Sequence, residues 1–222
     1  MHTSKKIFLL IFAAMICMLS SCMFSERTAQ RLYNRAATKT YDMVIVPGLP
    51  LEDSLVWSRI ARGRIYWAKF LYDKGIAQHI MFSGSAVYTP YYEGTYMALY
   101  AEAIGIPKAN IYTELLAEHS TENLYYSYKK AKKLGFKTIA LASDPFQSKQ
   151  LRSFARLRLS RSIGIIPFVI DTMMTLEPIM RNPAIDHRKA YKENFISLVK
   201  RENWWKRFKG TLGWNRDKKA YD

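Results

Sequence analysis

The 222-residue chain has only two cysteines, Cys17 and Cys22, both near its start. The body of the chain therefore carries no pair for a disulfide, no cysteine-based metal site and no cysteine nucleophile. It also lacks a Gly-x-Gly-x-x-Gly fingerprint, a Walker loop, a Gly-x-Ser-x-Gly elbow and a His-Glu-x-x-His pair. Nicotinamide, ATPase, hydrolase-triad and zinc-protease readings thus have none of their usual support. No metal ligand set is read, and no cofactor is assigned. Acidic residues are scarce as well: 18 Asp and Glu stand against 34 Lys and Arg, a formal net charge of +16. Such an excess points to an anionic neighbour, either lipid headgroups, envelope polymers or nucleic acid. For an exported chain nucleic acid is set aside.

What is present begins with a secretory signal. Lys5 and Lys6 precede an apolar run from Ile7 to Leu19, which is the length of a signal core and too short for a transmembrane helix. The run ends in Leu19-Ser20-Ser21-Cys22, small residues before a thiol, as lipid attachment requires. Residues 1–21 are therefore expected to be a lipoprotein signal peptide, with Cys22 as the lipidated residue. Two or more acyl chains there would anchor the protein stably to a membrane, facing the periplasm. Met23, rather than Asp, after Cys22 favours the outer over the inner membrane. Residues 22–40 are polar and read as a lipidated tether.

From residue 41 short apolar strands alternate with longer helices. Expected strands are 42–46, 79–82, 111–113, 138–142 and 163–169. Expected helices start at Asp53 or Ser54, at Tyr92, at Ser120 or Thr121, and near Ser148. This alternation predicts an α/β domain over 41–175 with a mostly parallel, doubly wound five-stranded sheet. A basic, Trp-rich extension follows over 176–222.

In such a sheet ligands bind at the carboxyl ends of the strands. Those ends carry Gly48, Ser83, Gly84, Glu114, Ser143 and Asp144, with Glu93 following the loop after the second strand. Thr121 and Asn123 start a helix, where free N–H groups favour anions. Glu93 and Glu114 are the candidate acid/base pair, because neither loop needs a carboxylate for its turn. Gly48 and Gly84 equally suit tight turns, one of Ser120, Thr121 and Asn123 suits a cap, and Asp144-Pro145 suits a turn opening. His119, a lone imidazole, reads more readily as a surface residue.

Four ordered segments then carry a resemblance. They are Val44-Ile45-Val46-Pro47-Gly48; Arg64-Ile65 with Ala68, Leu71-Tyr72 and Gly75, running into Ile80-Met81-Phe82-Ser83-Gly84; Glu93, Met97 and Gly105-Ile106-Pro107 with Ile111 and Glu114; and Ser120-Thr121-Glu122-Asn123. In order and spacing, over about residues 42–150, they resemble the DUF218 domain family, the YdcF/SanA/ElyC-like envelope proteins. The resemblance implies a Rossmann-like three-layer sandwich with a pocket lined by Arg64, Ser83, Gly84, Glu93, Glu114, Thr121 and Asn123. It also implies work on cell-envelope or peptidoglycan biogenesis and a small anionic or nucleotide/sugar-derived ligand. One position departs. Where the family carries Thr-Ser-x-x-His-x-x-Arg, this chain has Ala142-Ser143-Asp144-Pro145-Phe146-Gln147-Ser148-Lys149. Phenylalanine can neither move a proton nor bind metal, and lysine lacks the bidentate fork of arginine. Whether the protein is an enzyme is thereby left open, and a non-catalytic scaffold or regulator of envelope assembly is the alternative.

Over 191–214, Phe195, Leu198, Val199, Trp205 and Phe208 fit one helical face beside Lys200, Arg201, Lys206 and Arg207. That face suits either an anionic lipid interface or packing on the domain.

Overall fold

The computed structural model describes residues 23–51 and 57–222. The signal run, Cys22 and the expected caps Asp53 and Ser54 lie outside these. Strands β1 (Tyr41–Pro47), β2 (Ala77–Ser83), β3 (Ile111–Glu114), β4 (Ile139–Ser143) and β5 (Gly164–Pro167) form one sheet in the order 3-2-1-4-5. Every neighbouring pair is parallel. The chain is thus an α/β protein with a Rossmann-like three-layer arrangement, its sheet wholly rather than mostly parallel.

A parallel sheet needs cover on both faces, which is why its strands read as continuous apolar runs. The first helix, α1 (Glu26–Ala37), precedes the sheet and packs along β5. On one face Val44, Val46, Ile80 and Phe82 pack with α2 (Arg59–Asp73) and α3 (Glu93–Ala103). On the other, Met43, Ile45, Met81 and Leu141 pack with α4 (Ser120–Lys133) and α5 (Pro145–Arg158). Trp67, fully buried on α2, donates its indole N–H to the Ile166 carbonyl at 3.2 Å and stacks on Phe70.

Four local expectations are corrected. Residues 26–37 are not a tether but the helix α1. Its cause is apolar: Ala29 and Ala36 are buried, and Phe24 enters the core beside Leu151 and Ile165. The second helix is capped by Ser58, whose Oγ accepts from the Ala61 N–H at 3.2 Å. Asp144-Pro145 opens α5 rather than a loop, with the Asp144 carboxylate accepting from the Gln147 N–H at 2.9 Å and proline at the first helical position. Ser120 and Thr121 sit inside α4, whose cap position is His119 without a side-chain capping bond.

The extension is broken up as well. After α6 (Ile170–Leu176) it holds only two short α-helices, α7 (Leu198–Arg201) and α8 (Trp204–Thr211), separated where Asn203 caps the second. No single helical face runs from Phe195 to Phe208: Leu198 is buried while its neighbour Val199 is exposed. The extension folds over the carboxyl edge of the sheet. Leu198 N–H donates to the Val87 carbonyl, Lys192 N–H to that of Pro90, and Tyr92 N–H to that of Ala190. Among the described residues no helix is long and apolar enough to cross a membrane.

Candidate functional site

The carboxyl ends of β1 and β2, the start of α3 and the start of α4 enclose a polar cavity of about 140 Å3. That is well below the roughly 300–1,000 Å3 of a drug-sized pocket and suits a small head group. Gly48, Glu93, His119, Asn123 and Gln147 line it, and Thr211 of α8 helps to close it.

Glu93 is the most perturbed group in this wall. It is 4% exposed, and burial raises its carboxyl pKa to about 8, with Arg64 opposing. The carboxyl reaches this place because two turns carry glycine. A Cβ on Gly48 would stand 2.5 Å from Glu93 Oε2, and one on Gly84 2.8 Å from it. Gly84 also holds φ +142°, which strains any side-chain-bearing residue. No described residue donates a hydrogen bond to this carboxyl. At neutral pH Glu93 is thus a protonated acid, able to donate to a ligand oxygen.

Asn123, one turn into α4, is 7% exposed. Its Nδ2 reaches the His119 carbonyl only at 3.4 Å, and its Oδ1 is buried without a hydrogen-bond partner among the described residues. A buried, unpaired amide oxygen costs about 1–3 kcal/mol. A ligand hydroxyl or amine would satisfy it.

Arg64 and Asp144 set the shape of the wall without lining it. The Arg64 guanidinium donates to the Pro47 and Gly48 carbonyls at 2.9 and 2.8 Å and pairs with Asp144 Oδ2 at 2.6 Å. Burial would raise the Asp144 carboxyl, but Arg64 and the Gln147 N–H hold it below its usual range. Ser143 donates to Gln147 Oε1 at 3.1 Å, which leaves the Gln147 amide nitrogen available. Phe146 is half exposed and does not line the cavity.

Glu114 lies elsewhere. It is fully buried and accepts from Ser83 Oγ at 2.7 Å, the Leu116 N–H at 2.6 Å and the Tyr221 hydroxyl at 3.0 Å. Burial raises its pKa and these donors pull it back. It does not line the cavity with Glu93; its contacts tie β2 and β3 to the end of the chain. Thr121 likewise faces the extension, donating to the Gly210 carbonyl at 2.9 Å. Of the residues expected from sequence, the cavity therefore gathers Gly48, Glu93 and Asn123 directly. Arg64, Gly84, Ser143 and Asp144 support it, while Ser83, Glu114 and Thr121 fasten neighbouring segments.

His119 is buried rather than on the surface, its Nε2 3.2 Å from Glu202 Oε2. Burial lowers its pKa against the pull of Glu202 and Glu118, so it is a neutral imidazole in the wall. Gly210 lies flat on its ring, where a Cβ would overlap it. Sequence reasoning missed this burial because the covering residues come from about 90 positions away. Among the described residues no group of three or more His, Cys, Asp or Glu side chains is placed to hold a metal ion. Neither a family model, nor a curated protein, nor a solved structure matches this chain.

Proposed function

We propose that this is a lipid-anchored, DUF218-like protein of the cell envelope, whose cleft binds a small anionic ligand derived from a sugar or nucleotide. The observation that carries the reading is the pairing of a protonated Glu93 with the unsatisfied Asn123 oxygen in one small cavity at the strand ends. A neutral carboxyl donates to a phosphate or carboxylate oxygen without repelling it. The amide oxygen accepts from a sugar hydroxyl, and the start of α4 favours negative charge. Glu93 is also placed to give a proton to a leaving oxygen.

A thermal-shift panel of sugar phosphates, nucleotide sugars and free nucleotides tests this. At least one class should raise the wild-type Tm by several degrees at 100 times its Kd, a stabilisation of about 2.7 kcal/mol. Asn123→Ala should lose most of that rise. Equal responses from both proteins, or none from the wild type, would overturn the cleft.

Anchoring rests on the signal and Cys22. In a bacterial host, an alkyne-tagged fatty acid should label the wild type and not Cys22→Ser, with the variant released from the membrane fraction. Labelling of both would remove the anchor from the reading. Contact with anionic lipid by the extension finds support in α8. There Trp204, Trp205 and Phe208 stack on one another while 65%, 52% and 42% exposed, beside Lys206 and Lys209.

The scaffold alternative is favoured by Phe146, which leaves α5 without the acid–base group of the family pattern. Rescue of a deletion strain by Glu93→Gln would favour it, and failure of that variant while a folded, α8-truncated chain still rescues would exclude it.

A further inference from the structure

A concentration of positive charge lies away from the cleft, where α1 and α5 both border a cavity beside the start of β5. Arg27, Arg31 and Arg35 recur every four residues along α1, and Arg152 and Arg156 do the same on α5. Lys39 follows the first helix and Arg161 the second. Glu26 is the only carboxylate on either helix. Among the described residues none of these seven cations forms an ion pair, although eight such pairs occur elsewhere.

The cations are close enough to repel. After burial, the positive charges of Arg156, Arg31 and Arg35 lower the pKa of Arg152. Its Nε is buried with no hydrogen-bond partner among the described residues, although the guanidinium lies over the Phe24 ring. Between the helices a cavity of about 300 Å3 is lined by Arg35, Lys39, Tyr41, Arg152, Arg156 and Arg161. Uncompensated like charge destabilises a fold. Six of the seven cations are arginines, whose planar forks match phosphate oxygens two at a time.

We infer that this cleft between α1 and α5 is a second binding site, which takes a ligand bearing several phosphate charges. It is independent of the strand-end cavity: no residue lines both. The phosphates belong either to a soluble oligophosphate or to the headgroups of an anionic membrane. Both present the same oxygens to the arginine forks.

The test uses the full chain carrying Cys22→Ser, so that no acyl anchor contributes. Calorimetry with tripolyphosphate reads the soluble source. Co-sedimentation with phosphatidylglycerol vesicles, against phosphatidylcholine vesicles, reads the membrane source. Arg35→Gln/Arg152→Gln, both in the lining of the cavity, should weaken whichever binding occurs at least tenfold. The matching double lysine variant should recover only part of it, because it restores charge without the fork. Lys206→Gln/Lys209→Gln, on α8, should leave tripolyphosphate binding unchanged. Without ligand the glutamine variant should melt no lower than the parent, since it loses repulsion rather than pairing. Tripolyphosphate binding lost in the glutamine variant assigns the soluble source, and loss confined to vesicles assigns the membrane. Equal binding by parent and glutamine variant in both arms, or no binding by the parent near 0.15 M salt, would overturn the inference.

Discussion

Replacing Arg64 with methionine should destabilise the protein by about 3–5 kcal/mol, the usual cost of breaking a buried ion pair from one side. Arg64 is 4% exposed, so the loss falls on groups that water cannot readily rescue. Asp144 would keep its charge without its partner, and the Pro47 and Gly48 carbonyls would lose their donor. Urea unfolding measures the drop. The double variant Arg64→Met/Asp144→Asn should recover a substantial part of it, since the orphaned charge is then gone. In that variant the new amide oxygen can still accept from the Gln147 N–H, so the cap of α5 survives. A single variant within about 1 kcal/mol of wild type would show that the pair does not hold the β1 and β4 ends together.

The second large effect has the opposite sign. Glu93→Gln should stabilise the protein, and more so as pH rises. The carboxyl titrates near 4.5 when unfolded and about 8 when folded, so between those values the folded state holds the extra proton. Stability due to this group is therefore fully present below about pH 4.5. It declines as pH climbs toward 8 and is level above that. The variant should gain roughly 3–5 kcal/mol over wild type by pH 8 to 9 and almost nothing at pH 4 to 5. Unfolding curves across that range read the difference directly. A gap that does not grow with pH would mean that Glu93 is ionised in the folded protein. The same substitution keeps a hydrogen-bond donor for a ligand oxygen but removes the transferable proton, so ligand binding should persist while any proton transfer from Glu93 is lost.

The sheet is legible in the sequence because buried parallel strands must be apolar throughout, and residues 43–46, 80–82 and 139–142 leave no other reading. Gly48, Glu93 and Asn123 can be placed in one wall because strand ends in such a sheet point to one edge. Glu114 sits at an equally proper strand end, yet its carboxyl is consumed by Ser83, the Leu116 N–H and Tyr221. That last donor lies 107 residues away, and no local pattern announces it. His119 and Thr211 are hidden for the same reason: Thr211 belongs to the extension that covers His119, and a helical face read over 191–214 does not say where that extension docks. Residues 26–37 fail differently. Their surface is polar and arginine-rich, so composition points to a tether, while two buried alanines and Phe24 decide that the segment packs.

That packing has a consequence for how the chain is made. Strand β5 is at the border of the sheet, and α1 lies along it. The helix is synthesised early and the strand it shields comes some 130 residues later. Until β5 arrives, α1 has no place to dock, and until α1 docks, a row of backbone donors and acceptors stands open to other chains. Shortening the protein from its start through Ala37 would remove the shield permanently. The expected product is a chain with an intact sheet that pairs edge to edge with its own copies and accumulates as aggregate.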